Sequence, residues 1–163
     1  MNRKAYLEQI RAKVIPRNLL PALRATWGSK KVVFTNGCFD IVHRGHVEYL
    51  AKAAELGDLL VVGLNTDAST RRLKGPSRPL QDEASRAMVI ASLQVVSLVA
   101  LFDEDTPYEL IKLVMPDILV KGADYKPEDI VGYDLVAARG GRVETVPLVG
   151  GYSTSSIAAK MGC

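Results

Sequence analysis

The residues FTNGCFDIVHRGH, positions 34 to 46, hold both histidines of a 163-residue chain. His43 and His46 stand three apart with Gly45 between them, shortly after an apolar, β-branched run that ends in Asn36 and Gly37. Imidazoles near the start of a helix can donate hydrogen bonds to phosphate oxygens, and take a charge near neutral pH where an anion favours it. Backbone N–H groups and the helix dipole at such a start suit the same anion. Gly37 permits a tight turn or a close backbone approach to a ligand, and Gly45 does so where the next helix begins. The plain structural alternative, a histidine that merely caps or packs, explains one histidine better than two bracketing a glycine. An H-x-x-H pair can also ligate a metal, but no third ligand stands at a suitable spacing, so no side-chain metal site is assigned.

Other polar residues gather at element ends. Asn65 and Asp67 close a second apolar run, where they meet a ligand or cap the next helix. Lys74 and Arg78 lie in RRLKGPSRP, which its glycine and prolines mark as a loop. Arg offers phosphate a planar fork, and Lys a flexible point charge. Asp40 braces its loop by accepting from backbone N–H groups, or reaches a ligand or its metal. Cys38 and Cys163 form neither a disulfide framework nor a C-x-x-C motif, and Cys38 reads as a small loop residue whose main chain matters.

These groups need a scaffold, and the chain alternates apolar runs with amphipathic stretches. KVVFTNG (31–37), LLVVGLN (59–65), VVSLVALF (95–102), DILVKG (117–122) and RVETVPLV (142–149) read as strands. HVEYLAKAAELG, DEASRAMVIASL, TPYELIKLVM, YDLVAARG and STSSIAAKM read as helices, with Thr106 as a cap, Pro107 in first position, and serines and a threonine where the last helix begins. Strand–helix alternation implies right-handed crossovers and a Rossmann-like α/β fold, three layers with a mostly parallel five-stranded sheet. Residues 1–28, broken by Pro16 and Pro21, are expected as a helical extension packed on one domain spanning 29–163. In such a fold, ligands sit beyond the carboxyl ends of the strands, where TNGCFD lies.

Composition narrows the function classes. A net charge of +3, no dense basic block and 6% aromatics give no nucleic-acid groove, but suit small phosphorylated ligands. The longest apolar runs are far too short to span a bilayer, and the charged N-terminus lacks the apolar centre of a signal peptide, so a cytoplasmic protein is expected.

GCFDIVHRGHVEYL resembles the G-x-F-D-x-x-H-x-G-H signature of the nucleotidyltransferase superfamily, and GYSTSSI (151–157) resembles that group's second signature, with Tyr152 in place of an isoleucine. NTDASTRRLKGPSRPLQDEASRAMVIASL and DILVKGADYKPEDIVG are similar to one branch, the D-glycero-D-manno-heptose 1-phosphate adenylyltransferases. The resemblance runs from about residue 30 to the end. It implies attack of a sugar 1-phosphate on the α-phosphorus of ATP, with Mg²⁺ accompanying the nucleotide. It gives catalytic roles to His43, His46, Lys74 and Arg86. It puts Thr35, Asn36, Gly37, Cys38, Phe39, Gly45, His46, Lys121, Gly122, Asp124, Ser153, Thr154 and Ser155 around the nucleotide. Asp40, Asn65, Asp67 and Lys74 fall to the sugar phosphate. Members often pair, so a homo-oligomer, dimer or larger, is expected.

The rivals are a cytidylyltransferase acting on a polyol or amino-alcohol phosphate, and a nucleotide-binding module without turnover. Gly150-Gly151 departs from the acidic residue many members carry there, which bears on acceptor contacts. A dinucleotide-dependent oxidoreductase is weaker, because the first turn lacks G-x-G-x-x-G.

Overall fold

In the computed structural model, which describes residues 5–163, five strands pair in parallel in the order β3-β2-β1-β4-β5. They are β1 (Val32–Gly37), β2 (Leu59–Asn65), β3 (Leu98–Phe102), β4 (Ile118–Gly122) and β5 (Arg142–Val146). The central strands are continuous apolar runs because each is covered on both faces. Val33, Val62 and Ile118 meet Leu50 and Ala53 of α3 (Arg44–Ala54) and Ile90 and Ala91 of α5 (Glu83–Ser92). On the other face, Phe34, Val61 and Leu119 pack with Leu110 and Ile111 of α6 (Tyr108–Val114) and Val136 of α7 (Tyr133–Ala138). Full burial of each such side chain contributes about 1.5–3 kcal/mol.

Helices α1 (Tyr6–Lys13) and α2 (Leu20–Thr26) hold to this body through α5 and α6. Leu20 is fully buried, and the amide of Ile15 donates to the carbonyl of Val99 at 3.0 Å. Residues 1–4 of the expected extension lie outside the described residues. Among those described, no helix is long and apolar enough to cross a membrane.

Three local expectations are corrected. RRLK belongs to a helix, α4 (Asp67–Lys74), in which Thr66 caps by accepting from the amide of Ser69; the loop begins only at Gly75. Thr106 makes no cap, because α6 opens at Tyr108 with Pro107 in the cap position and no side-chain hydrogen bond. Strand β3 starts at Leu98, since Val96 is drawn back into a turn by the carbonyl of Leu93.

The chain crosses to the other half of the sheet between β3 and β4, through α6, which sets β1 beside β4 at the switch point. These two pair only at Val33 with Ile118 and Phe34 with Leu119, so their carboxyl ends are left unpaired with each other, and the loops and helices above that gap build the site.

Candidate active site

A cleft of about 460 Å³ opens over the ends of β1 and β4. Helix α3 points its N-terminus at it, and α8 (Thr154–Lys160) begins on its rim, with Ser153 capping by accepting from the amide of Ser156 at 3.0 Å.

His43 is the residue before α3, and its Nδ1 accepts from the amide of Gly45 at 3.1 Å. Nδ1 of His46 accepts from the amide of His43 at 3.4 Å, closing a reciprocal capping box made of two imidazoles. Since Nδ1 accepts in each, the neutral rings carry their proton on Nε2. In His43 that nitrogen remains to donate, whereas His46 already makes a hydrogen bond to the backbone of Ile41. Gly45 makes the arrangement possible. A Cβ there would lie 2.9 Å from Cε1 of His43 and 3.3 Å from Cβ of Tyr152.

The rings form a column. His43 and His46 stack, Tyr152 lies beyond His43 with ring centres 6.4 Å apart, and Phe39 meets His46 edge-on at 5.1 Å. Phe39 holds a backbone φ of +45°, a costly conformation for a bulky residue, of order 1–3 kcal/mol. Its ring sits where a Cβ on residue 37 would fall, 2.9 Å from Cε2, so Gly37 and the turn of Phe39 require each other.

Burial, the neighbouring His43 and the Lys74 ammonium together push His46 down to about 4. Burial lowers His43 as well. The cleft therefore presents neutral, hydrogen-bonding imidazoles at pH 7, and an anion that favours their charged form pulls both upward. Lys121, at the end of β4, is lowered by burial, and among the described residues no carboxylate pairs with it. Asn36 adds a buried side-chain oxygen without a hydrogen-bond partner in the protein.

Asp40 lines the cleft but is 2% exposed. Its carboxylate accepts from the amides of Leu80 and Gln81 at 2.9–3.0 Å and from Arg78 at 3.1 Å. Burial alone would raise its pKa; the two amides and the guanidinium outweigh that and hold it low. Of its two expected roles, the structure shows the brace, tying the segment after Lys74 to the β1–α3 loop.

The structure brings His43, Gly45, His46, Lys74, Asn36, Gly37, Cys38, Phe39, Lys121, Gly122, Asp124, Ser153, Thr154 and Ser155 to this one cleft. Four expected residues do not line it. Thr35 is buried beneath, its hydroxyl 2.8 Å from that of Tyr49. Arg86 is fully buried and faces inward rather than toward a phosphate. It donates to the carbonyls of Cys38, Asn65 and Gln81 and pairs with Asp67 at 2.7 Å. Asp67 is taken up by that pair, and Asn65 donates to the hydroxyl of Ser69 at 3.0 Å, so neither meets the cleft. Sequence reasoning missed Tyr49 and Leu148 as lining groups, and Tyr152 as part of the column. Leu148 and Tyr152 are large side chains flanking Gly150-Gly151, the one signal in the sequence that marked them.

Comparison with known proteins bears on the same residues. A profile of the cytidylyltransferase-like family matches residues 34–157, from β1 into α8. The chain belongs to the cytidylyltransferase-like family. Within that family's reach, the chain is 55% identical over 165 residues to the bifunctional protein HldE of Azorhizobium caulinodans, covering 96% of this chain and 34% of that one. With HldE of Syntrophotalea carbinolica it is 58% identical over 152 residues, 93% of this chain and 31% of that one. The chain thus spans about a third of the length of these curated relatives. Among solved structures, the lipopolysaccharide core biosynthesis protein from Thermoplasma volcanium GSS1 is 34% identical with a TM-score of 0.59, covering 74% of this chain and 98% of that one. A pantoate-beta-alanine ligase from Francisella tularensis shares the fold alone, at 14% identity and a TM-score of 0.57. The cytidylyltransferase-like match encloses every residue of the histidine column and of the β4 end.

Proposed function

We propose that this chain is a nucleotidyltransferase that moves AMP from ATP onto D-glycero-D-manno-heptose 1-phosphate, giving ADP-heptose and pyrophosphate. The observation that carries the reading is the stacked pair His43–His46, with Lys74, around one cleft of about 460 Å³ at the switch point of the sheet. The similarity to HldE proteins and to a lipopolysaccharide core biosynthesis protein supports the sugar acceptor, and supply of surface-glycan synthesis as the role.

In this reading an oxygen of the sugar 1-phosphate attacks the α-phosphorus in line with the leaving group. One P–O bond forms, and the bridging P–O bond to pyrophosphate breaks. The protein contributes position and charge rather than a covalent intermediate. Nε2–H of His43, and that of His46 once it exchanges the Ile41 backbone for the ligand, donates to phosphate oxygens as charge gathers on them, and the ring pKa rises with that charge, so donation strengthens toward the transition state. Lys74 supplies a cation beside His46, and Lys121 a second one from the cleft floor.

Among the described residues no group of three or more histidines, cysteines, aspartates and glutamates is placed to hold a metal ion by itself. Mg²⁺ arriving on the nucleotide needs no such group, since the ion keeps most of its waters and takes few protein ligands. Asp124, the exposed carboxylate on the cleft, would hold it, and the ion would supply neutralisation of phosphate charge.

The test is incubation with Mg²⁺, ATP or CTP, and heptose 1-phosphate beside polyol and amino-alcohol phosphates, with products read by mass. ADP-heptose with ATP alone is the expected result. A CDP-linked polyol, or nucleotide binding with no pyrophosphate released from any acceptor, would overturn it.

A further inference from the structure

The sheet carries a second concavity at its other end. A cavity of about 400 Å³ lies where β1, β4 and β5 begin, the full length of the strands away from the histidine cleft. Its wall comes from three separate stretches of chain. Arg24 projects from α2, Lys30 and Lys31 lead into β1, and Arg139 and Arg142 flank the Gly140-Gly141 turn between α7 and β5.

The charge there is one-sided. Five cationic side chains face a single lining carboxylate, Asp117. That carboxylate is already engaged, accepting from the amide of Val32 at 2.8 Å and standing 3.6 Å from Arg24. Arg142 pairs outward with Glu144 at 2.6 Å. Among the described residues no carboxylate lies within ion-pair distance of Lys30, Lys31 or Arg139. Like charges gathered around one concavity repel one another, and the repulsion is relieved when an anion enters.

The floor is built rather than incidental. A Cβ at residue 141 would lie 2.4 Å from the carbonyl oxygen of Asp117, so only glycine lets the turn close against the start of β4. Arg24 is fixed beside it by donating to the carbonyl of Met115 at 3.1 Å. The volume falls in the range of small-molecule sites, and cations from three directions suit a ligand with several anionic groups rather than one.

We propose that this cavity is a second anion site, separate from the histidine cleft, for a small ligand bearing two or more phosphate groups. The proposal stands apart from the assignment of the transferase reaction, and nothing in it requires turnover.

The probe is pyrophosphate, titrated into the ¹⁵N-labelled full chain at fixed ionic strength, with the wild type compared with the Lys30→Gln/Arg139→Gln variant. Both residues are exposed, so the double variant keeps its fold, which unshifted amides elsewhere verify. In the wild type, the amides of Gly28, Gly140 and Gly141 shift to saturation as one set. In the variant their half-saturation rises about tenfold or more, as expected for two lost charge-assisted contacts, while the cleft amides of Gly45 and Ser155 respond as before. Shifts that never saturate, or that saturate identically in the variant, overturn the proposal. So does a glutamate-rich peptide that binds these amides more tightly than pyrophosphate, which would assign the face to an acidic protein.

Discussion

His43 and His46 lie face to face, ring centres 3.9 Å apart and planes 25° from parallel, each tied at Nδ1 by a backbone amide of the same helical turn. Stacked imidazoles resist being charged together, and here an anion is what relieves that resistance. Removing His46 takes away one donor and leaves most of the cap. His46→Ala is expected to lower turnover about 100-fold or more, the usual cost of losing a charge-stabilising donor, while the protein stays folded. Pyrophosphate release alongside a thermal melt checks it; near-normal turnover would make the histidine merely a capping residue.

Gly45 separates geometry from chemistry. Alanine within a helix normally stabilises relative to glycine by roughly 0.5–1 kcal/mol. At this position, however, the new Cβ would meet the His43 ring at 2.9–3.0 Å. The ring must shift. Gly45→Ala should leave the melting temperature unchanged or lower, because the displaced ring gives up a cap worth about 0.5–2 kcal/mol, and cut kcat about 10-fold or more, in line with the cost of small misplacements in positioned catalysis. Unchanged kcat would show that the ring's place on the helix end is irrelevant.

The depressed His46 makes stability depend on pH with a definite sign. Its folded value of about 4 lies below the unfolded value near 6.5, so the unfolded chain takes the proton first. Above pH 6.5 neither form is charged and there is no penalty. Stability falls as the pH drops from 6.5 toward 4, and this contribution then levels off. Denaturant midpoints at pH 7 and pH 4.5 should differ in the wild type, and differ less in His46→Gln. Asp40 adds its loss only in the more acid range, because its value is held below that of a free carboxylate.

The strands were legible because a parallel sheet covered on both faces leaves unbroken apolar runs, and β1, β2 and β4 show them. The histidine pair was legible because its chemistry depends on spacing within one turn. Helix α4 was not. DASTRRLK is polar on every side, and its two buried members are Ser69 and Thr70, so no apolar stripe marks it. Arg86 and Lys121 could not be ranked from sequence either. Both are cations near element ends, and what separates them is enclosure by residues distant in the chain: Arg86 is wrapped by acceptors from Cys38 to Gln81, Lys121 by none. Spacing reports neighbours along the chain, and burial is decided across it.

Lys121 therefore carries an opposite expectation from a stabilising residue. Its charged form is disfavoured by burial and unpaired, so the folded protein bears a cost that a ligand would offset. Lys121→Met should raise the melting temperature at pH 7 by about 2–4 °C, the shift of roughly 1 kcal/mol in a domain of this size, and weaken nucleotide-dependent turnover. The sign with pH follows from a folded value below the unfolded one near 10.4. The cost is full in neutral solution and disappears as the pH rises to that value, so the methionine's advantage should shrink on the alkaline side. A destabilised variant would mean that the ammonium has a protein partner in solution.

Arg86 gives the reverse pattern. Its guanidinium joins the β1–α3 loop, the end of β2, the start of α4 and the approach to α5, through Cys38, Asn65, Asp67 and Gln81. Truncation strands three carbonyls and leaves the Asp67 carboxylate, itself 27% exposed, without its cation. Breaking a buried pair from one side costs about 3–5 kcal/mol, which at this chain length lowers the melting temperature by roughly 10 °C or more. Arg86→Ala should therefore fail first in a thermal or denaturant melt, with the folded fraction keeping its KM for ATP near the wild-type value. A variant that melts like the wild type but shows a KM for ATP raised tenfold would place this arginine on the phosphates instead of beneath them.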